Sequence, residues 1–260
     1  MERLNNEPFA DVYAVPPWRI VVVDTLDWSN DTDVKLLVAY NYSHSHGDGT
    51  LLAYSLSAAI GNSSNSIVLR GAIPINLQKI DDVPPDQMGV MSSVWMQTHN
   101  SAAHFENLIK RARYTTDALA KAASTLQDQP VGLLRFVGNF RSWYEGKLGK
   151  ARGESYEVSN IMALDPAAAT LGAGPQNRIV GVEELFYTQP ANVTGPAITF
   201  NVVSVKGGAL NVGVSWQVGA LGLETVREDD QESSESAERE LVKRLCAAFK
   251  EAVDRFISAD

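Results

Sequence analysis

Apolar and polar positions along the chain follow two rhythms, one of period two and one of three to four. After Trp18, RIVVVDTL is a short β-branched run of the kind that forms a buried strand. A polar turn, DWSNDTD, separates it from VKLLVAYNY, a second strand that the short connection makes antiparallel to the first. That strand runs directly into SHSHGDGT. LLAYSLSAAI, residues 51–60, then has helical spacing and ends at Gly61 before the turn-rich NSSN. SIVLRGAIPIN and GVMSSVWMQT read as strands on either side of the loop KIDDVPPDQ. Ser101 is placed to cap a long helix, AAHFENLIKRARYTTDALAKAASTL, and a further helical stretch, VGLLRFVGNFRSWYEGKL, follows Pro130.

Beyond residue 154 the period shortens. SYEVSNIMAL, RIVGVEELFYTQ, PAITFNVVSV and ALNVGVSWQV all read as strands, and the last two form a hairpin turning at residues 206–208. An acidic, Ser-rich stretch reads as a linker or surface loop. ERELVKRLCAAFKEAVDRFI closes the pattern as an amphipathic helix. Mixed strands and helices with antiparallel neighbours predict the α+β class.

Composition adds limits. Of 260 residues, 45% are hydrophobic, enough for one large domain or two small ones. The formal net charge of −9 disfavours nucleic acid and anionic membrane surfaces as partners. Residues 224–240 hold eight acidic and two basic residues, so −6 of that charge lies in one place. The single cysteine, Cys246, cannot form an internal disulfide; it lies on the apolar face of LVKRLCAAF and reads as core. One thiol, and an N-terminus without a signal-like apolar stretch, predict a cytoplasmic protein. No apolar run is long enough for a transmembrane segment. Four Asn-x-Ser/Thr triplets therefore carry no weight. Trp18, Trp95 and Trp143 read as core packing.

The chemistry concentrates in YSHSHGDG, residues 42–49. A histidine delivered by a strand end can keep one ring nitrogen open to a pocket and exchange a proton near neutral pH. His44 stands four residues before Asp48, and Gly49 follows; the two glycines let the backbone turn sharply. A buried Asp48 paired with an arginine, Arg19 or Arg70, would hold the loop. A polar turn with exposed histidines remains an alternative. A metal site at His44 and His46 lacks any supporting Cys or His cluster, so no metal is expected. A serine hydrolase would need a Gly-x-Ser-x-Gly elbow, which is absent.

His-x-x-x-Asp-Gly at a strand end resembles the signature of the chloramphenicol acetyltransferase-like superfamily. That superfamily includes plant BAHD acyltransferases, peptide-synthetase condensation domains and fungal alcohol acetyltransferases, and the chain looks most like the last. PPWRIVVV resembles the family's Trp-Arg strand, and LRGAIPINLQ its Pro-x-Asn-Leu-Arg segment, with Gln78 where arginine is usual. AAHFENLIKRA resembles the following helix, ESYEVSNIMAL the Ser-Asn strand, VEELFYTQP the Phe-x-x-Gln strand, and FNVVSVKGGALNVGVSWQ the last hairpin.

The resemblance implies a two-lobe mixed-sheet fold, here lacking the N-terminal segment that precedes the Trp-Arg strand. Residues 1–62 would be the remnant of the N-terminal lobe with the His motif, 63–223 the C-terminal lobe, 224–236 an acidic linker, and 237–260 a helix packed on the lobes. An exposed apolar patch beside the motif loop would follow. The implied function is acyl-CoA-dependent O-acyl transfer from acetyl-CoA, as co-substrate, to a small-molecule alcohol or amine. His44 would be the base and His46 a bystander. Asp48 and Gly49 would hold the loop, and Ser159 or Asn160 would contact the acyl-CoA and its oxyanion. No bound cofactor is required. A non-catalytic acyltransferase fold acting as a binding module is the alternative. A condensation-type enzyme is disfavoured, since Ser43 stands where that group doubles its histidine.

Overall fold

The computed structural model describes residues 18–23, 37–42, 68–77, 91–100, 108–127, 129–164, 182, 184–223 and 231–258. Two strands, β1 (Trp18–Val23) and β2 (Leu37–Tyr42), pair antiparallel with Trp18 opposite Tyr42, as the short connection predicts. The remaining strands build a five-stranded sheet: β3 (Val68–Asn76), β4 (Ser92–Asn100), β5 (Tyr156–Leu164), β6 (Ile198–Val205) and β7 (Leu210–Trp216). Their order is β4-β3-β5-β6-β7. The outer pairs β3–β4 and β6–β7 are antiparallel, whereas β5 runs parallel to both neighbours. With helices α1 (Leu108–Ala122), α2 (Phe140–Glu145) and α3 (Gln231–Ser258), this is the α+β class.

The sheet has two unlike faces because side chains alternate along each strand. Tyr156 and Val158 of β5, Ile198, Phe200 and Val202 of β6, and Val212, Val214 and Trp216 of β7 share one face. Val242, Leu245 and Phe249 of α3 pack onto it. Ile73, Ile75 and Leu77 at the other end join Leu119 of α1, with Trp95 packed alongside. Gly71 lies directly under the Tyr156 ring, which occupies the space a Cβ would need. Tyr156 is fully buried, and its hydroxyl accepts from Gln97 Nε2 at 3.3 Å.

Buried polar groups tie the ends of the sheet to the rest. Glu238 of α3 is fully buried, and its carboxylate accepts from Gly219 N at 3.0 and 3.1 Å, Leu221 N at 3.1 Å and Trp216 Nε1 at 3.2 Å. Arg152 donates through Nη1 to the carbonyls of Asn192 and Gly195 at 2.8 and 2.7 Å, and through Nη2 to Gln217 Oε1. The 192–196 loop is thereby fastened to the end of β7.

Several expectations fail. Of RIVGVEELFYTQ, read as a strand, the described residues 184–189 form none. Their alternating pattern serves an irregular segment laid across the sheet, anchored by the buried Tyr187. The stretch after Pro130 is not one helix: a 3-10 turn (Pro130–Phe136) and the six-residue α2 are separated at Val137–Asn139, where the backbone is extended. Neither piece buries a residue, so Trp143, expected in the core, is 42% exposed. Cys246 is exposed as well, because the buried line of α3 runs through Glu238, Val242 and Leu245 instead. The closing helix begins at Gln231, inside the acidic stretch expected to be a linker. The 51–60 helix, the Ser101 cap and the patch expected beside the motif loop fall outside the described residues.

Candidate functional site

The motif residues His44, Asp48 and Gly49 lie outside the described residues, as does His46. The strand that leads to them is described: β2 ends at Tyr42, two residues before His44. Of the two arginines that could serve Asp48, Arg19 lies in β1 opposite Asn41. Arg70, in β3, is exposed, and its backbone N–H donates to Ser155 Oγ at 3.2 Å.

Ser159 and Asn160 are both in β5, and the alternation of the strand sends their side chains to opposite faces. Ser159 belongs to the face that α3 does not cover. There the register aligns two polar rows: Glu157, Thr199 and Ser215, and beside them Ser159, Asn201 and Gly213. Ser159, Thr199 and Asn201 are almost completely buried. The 184–190 segment closes over this face. The Tyr187 hydroxyl donates to the main-chain oxygen of Ser159 at 2.5 Å and lies 2.9 Å from its Oγ. Asn211 Nδ2 donates to the Leu185 carbonyl at 2.9 Å. A Cβ at Gly213 would stand 2.8 Å from the Tyr187 carbonyl oxygen, so the absent side chain admits the segment.

Two groups on or beside this face are left open. Asn201 Nδ2 donates to the Gly213 carbonyl at 3.2 Å, but among the described residues its buried Oδ1 has no partner. Gln189 Nε2, two residues past Tyr187, is likewise buried without an acceptor among the described residues. A buried polar atom left unmatched costs about 1–3 kcal/mol. Burial raises the Glu157 carboxyl from its ordinary 4.5 to about 7, and the neighbouring charge of Glu154 adds to the effect. Glu157 therefore exchanges a proton near neutrality.

Asn160 marks a local irregularity. The pairing of β5 with β6 shifts between Asn160 and Ala163, and Asn160 Oδ1 accepts from Met162 N at 2.8 Å. Met162 takes a left-handed φ of 69°, rare for a side-chain-bearing residue, and is exposed.

Sequence reasoning missed Glu157, Asn201 and Tyr187. The signal was present: Glu157 and Ser159, Thr199 and Asn201, and Asn211, Gly213 and Ser215 are polar or small at every second position of three neighbouring strands. Among the described residues, no group of three or more His, Cys, Asp or Glu could hold a metal ion, and no helix is long and apolar enough to cross a membrane.

No family model matches the chain. Among solved structures, the epimerization domain from the third module of tyrocidine synthetase B is similar with a TM-score of 0.37 and 13% identity, covering 78% of this chain and 42% of that one. That score is too low to equate the folds, and the α+β assignment rests on the strand order above. The sequence resemblance to the fungal alcohol acetyltransferases stands on a curated relative: over 100 residues, 37% of this chain and 19% of the relative, it is 33% identical to Probable alcohol acetyltransferase FCK4 of Fusarium pseudograminearum (strain CS3096).

Proposed function

We propose that the chain takes part in acyl transfer from acetyl-CoA to a small alcohol, with an amine as the other acceptor of the same chemistry. The observation that carries this reading is His44, four residues before Asp48 and followed by Gly49, set two residues beyond the end of β2. The partial likeness to a protein named as a probable alcohol acetyltransferase supports it.

In this mechanism His44 removes the proton from the acceptor hydroxyl. The oxygen attacks the thioester carbonyl, and the tetrahedral oxyanion takes hydrogen bonds from pre-placed donors. Ser159 or Asn160 would supply one of these donors. Ser159 is covered by Tyr187 and would reach a ligand only if the 184–190 segment moved. The CoA thiolate then leaves and receives the proton from His44, so no covalent enzyme intermediate forms. Asp48 and Gly49 shape the loop and His46 stands by. The lobe division at residues 62 and 223 belongs to this proposal, as does the cytoplasmic setting that the single thiol suits.

The test is release of CoA from acetyl-CoA in the presence of short-chain alcohols. His44→Ala should abolish it, whereas His46→Ala should retain most of it. Equal activity in the two variants would remove His44 from the role of base.

A further inference from the structure

Residues 130–150 leave the sheet and return to it without burying a side chain in either of their helices. Leu133 is 65% exposed, Phe136 70% and Phe140 55%, and Trp143, Tyr144 and Leu148 are also on the surface. Large apolar side chains exposed together along one short stretch mark a surface with a partner. The same stretch holds Arg135, Arg141, Lys147 and Lys150 against the single acid Glu145, a local charge of +3 in a chain of −9. The cations border the rings: the Arg135 guanidinium lies 4.7 Å from the Phe136 centroid, and the Lys147 ammonium 3.8 Å from that of Trp143.

We propose that residues 130–150 are an interfacial anchor that seats the protein on an anionic lipid surface. The aromatic rings and leucines enter the boundary between headgroups and acyl chains, while the four cations stay at the level of the phosphates. Charge decides between occupants. A second copy would bring +3 against +3 and be repelled. Nucleic acid would meet the cations and stack on the rings, but it has nothing to offer Leu133 and Leu148. An anionic bilayer matches both components. The overall negative charge does not prevent contact, because most of it lies in residues 224–240, and fields between exposed charges fade within about 8 Å at physiological ionic strength.

The full chain should sediment with phosphatidylcholine vesicles that contain a minor fraction of phosphatidylglycerol, and at least about tenfold less well with phosphatidylcholine alone. Added salt should weaken the binding. Two double variants test the components separately: Phe136→Ser with Trp143→Ser, and Arg141→Glu with Lys147→Glu. Each should lose binding by at least about tenfold while its circular dichroism is unchanged, since all four side chains are exposed. Indifference to lipid charge, no binding, or wild-type binding by both variants would overturn the proposal. So would a dimer that the aromatic variant dissolves without any vesicle binding by the parent, or binding to a single-stranded oligonucleotide in place of vesicles.

Discussion

The Tyr187 hydroxyl meets Ser159 twice, at its carbonyl oxygen and at its Oγ, across a sequence separation of 28 residues. One phenolic proton cannot serve both. With the proton on the carbonyl, the serine hydroxyl completes the pair by donating back to the phenol oxygen. This contact pins an irregular segment to the central strand.

Tyr187→Phe keeps the ring and removes the pin. The variant should lose about 1–2 kcal/mol by urea denaturation, the usual effect of deleting one buried hydrogen-bonding group. If Ser159 contributes to acyl transfer only when the segment moves, the same variant should raise CoA release per folded molecule. Unchanged stability would mean that the segment is held elsewhere.

Glu157 gives a signed dependence on pH. Its folded-state proton is held to about pH 7, whereas the ordinary value is 4.5. The folded state therefore binds more protons than the unfolded chain between these values, so its stability is full below the window, falls as pH rises through it, and levels off above it. Solvent screening of this partly exposed group limits the loss to about 1–2 kcal/mol. Urea midpoints of the parent should converge with those of Glu157→Gln at the acid end and separate above neutrality. Parallel profiles would contradict this.

Gly71→Ala should be severe for so small a change. The new methyl would enter the Tyr156 ring, which cannot swing aside while it is buried and bonded to Gln97. Overpacking of this kind costs about 1–3 kcal/mol. Adding Tyr156→Leu should restore part of the loss, and a double variant worse than either single one would argue against steric conflict as the cause.

Glu238→Gln tests the carboxylate between α3 and the end of β7. Glutamine keeps one acceptor oxygen but turns an amide N–H₂ toward donors of Gly219, Leu221 or Trp216. A loss of about 2–3 kcal/mol is expected in thermal or urea unfolding. A variant within about 0.5 kcal/mol of the parent would show that water replaces the lost bonds.

The hairpin of β6 and β7 was legible because alternation and the turn at 206–208 agree. Gly207 takes the left-handed φ of +82° that the turn requires, and Gly208 N closes it onto the Val205 carbonyl at 2.8 Å. VEELFYTQP was not legible. Its pattern is strand-like, but Tyr187 owes its burial to Ser159 and the space at Gly213, which only the assembled sheet supplies. FVGNFRSWYEG misled for the opposite reason. Its aromatic content implied a core, and nothing in local spacing reveals that the helices carrying it bury no residue. For the site, spacing singled out His44 and Asp48 as candidates, which lie outside the described residues, whereas the row of Glu157, Thr199 and Ser215 exists only through register.

The parallel setting of β5 also bears on the order of assembly. The pairs β3–β4 and β6–β7 each join consecutive strands, so either can form before the other. β5 must instead find β3 across a separation of about 85 residues, as in the bond from Arg70 N to Ser155 Oγ, and find β6 across the whole of 165–197. Closing such loops is slow because their entropy is lost before the pairing is gained. The two hairpins are therefore expected to be early structures, and insertion of β5 between them the late step in refolding. Until that step the inner edges of β3 and β6 stand open, which makes the half-assembled chain the state most prone to associate with its own kind.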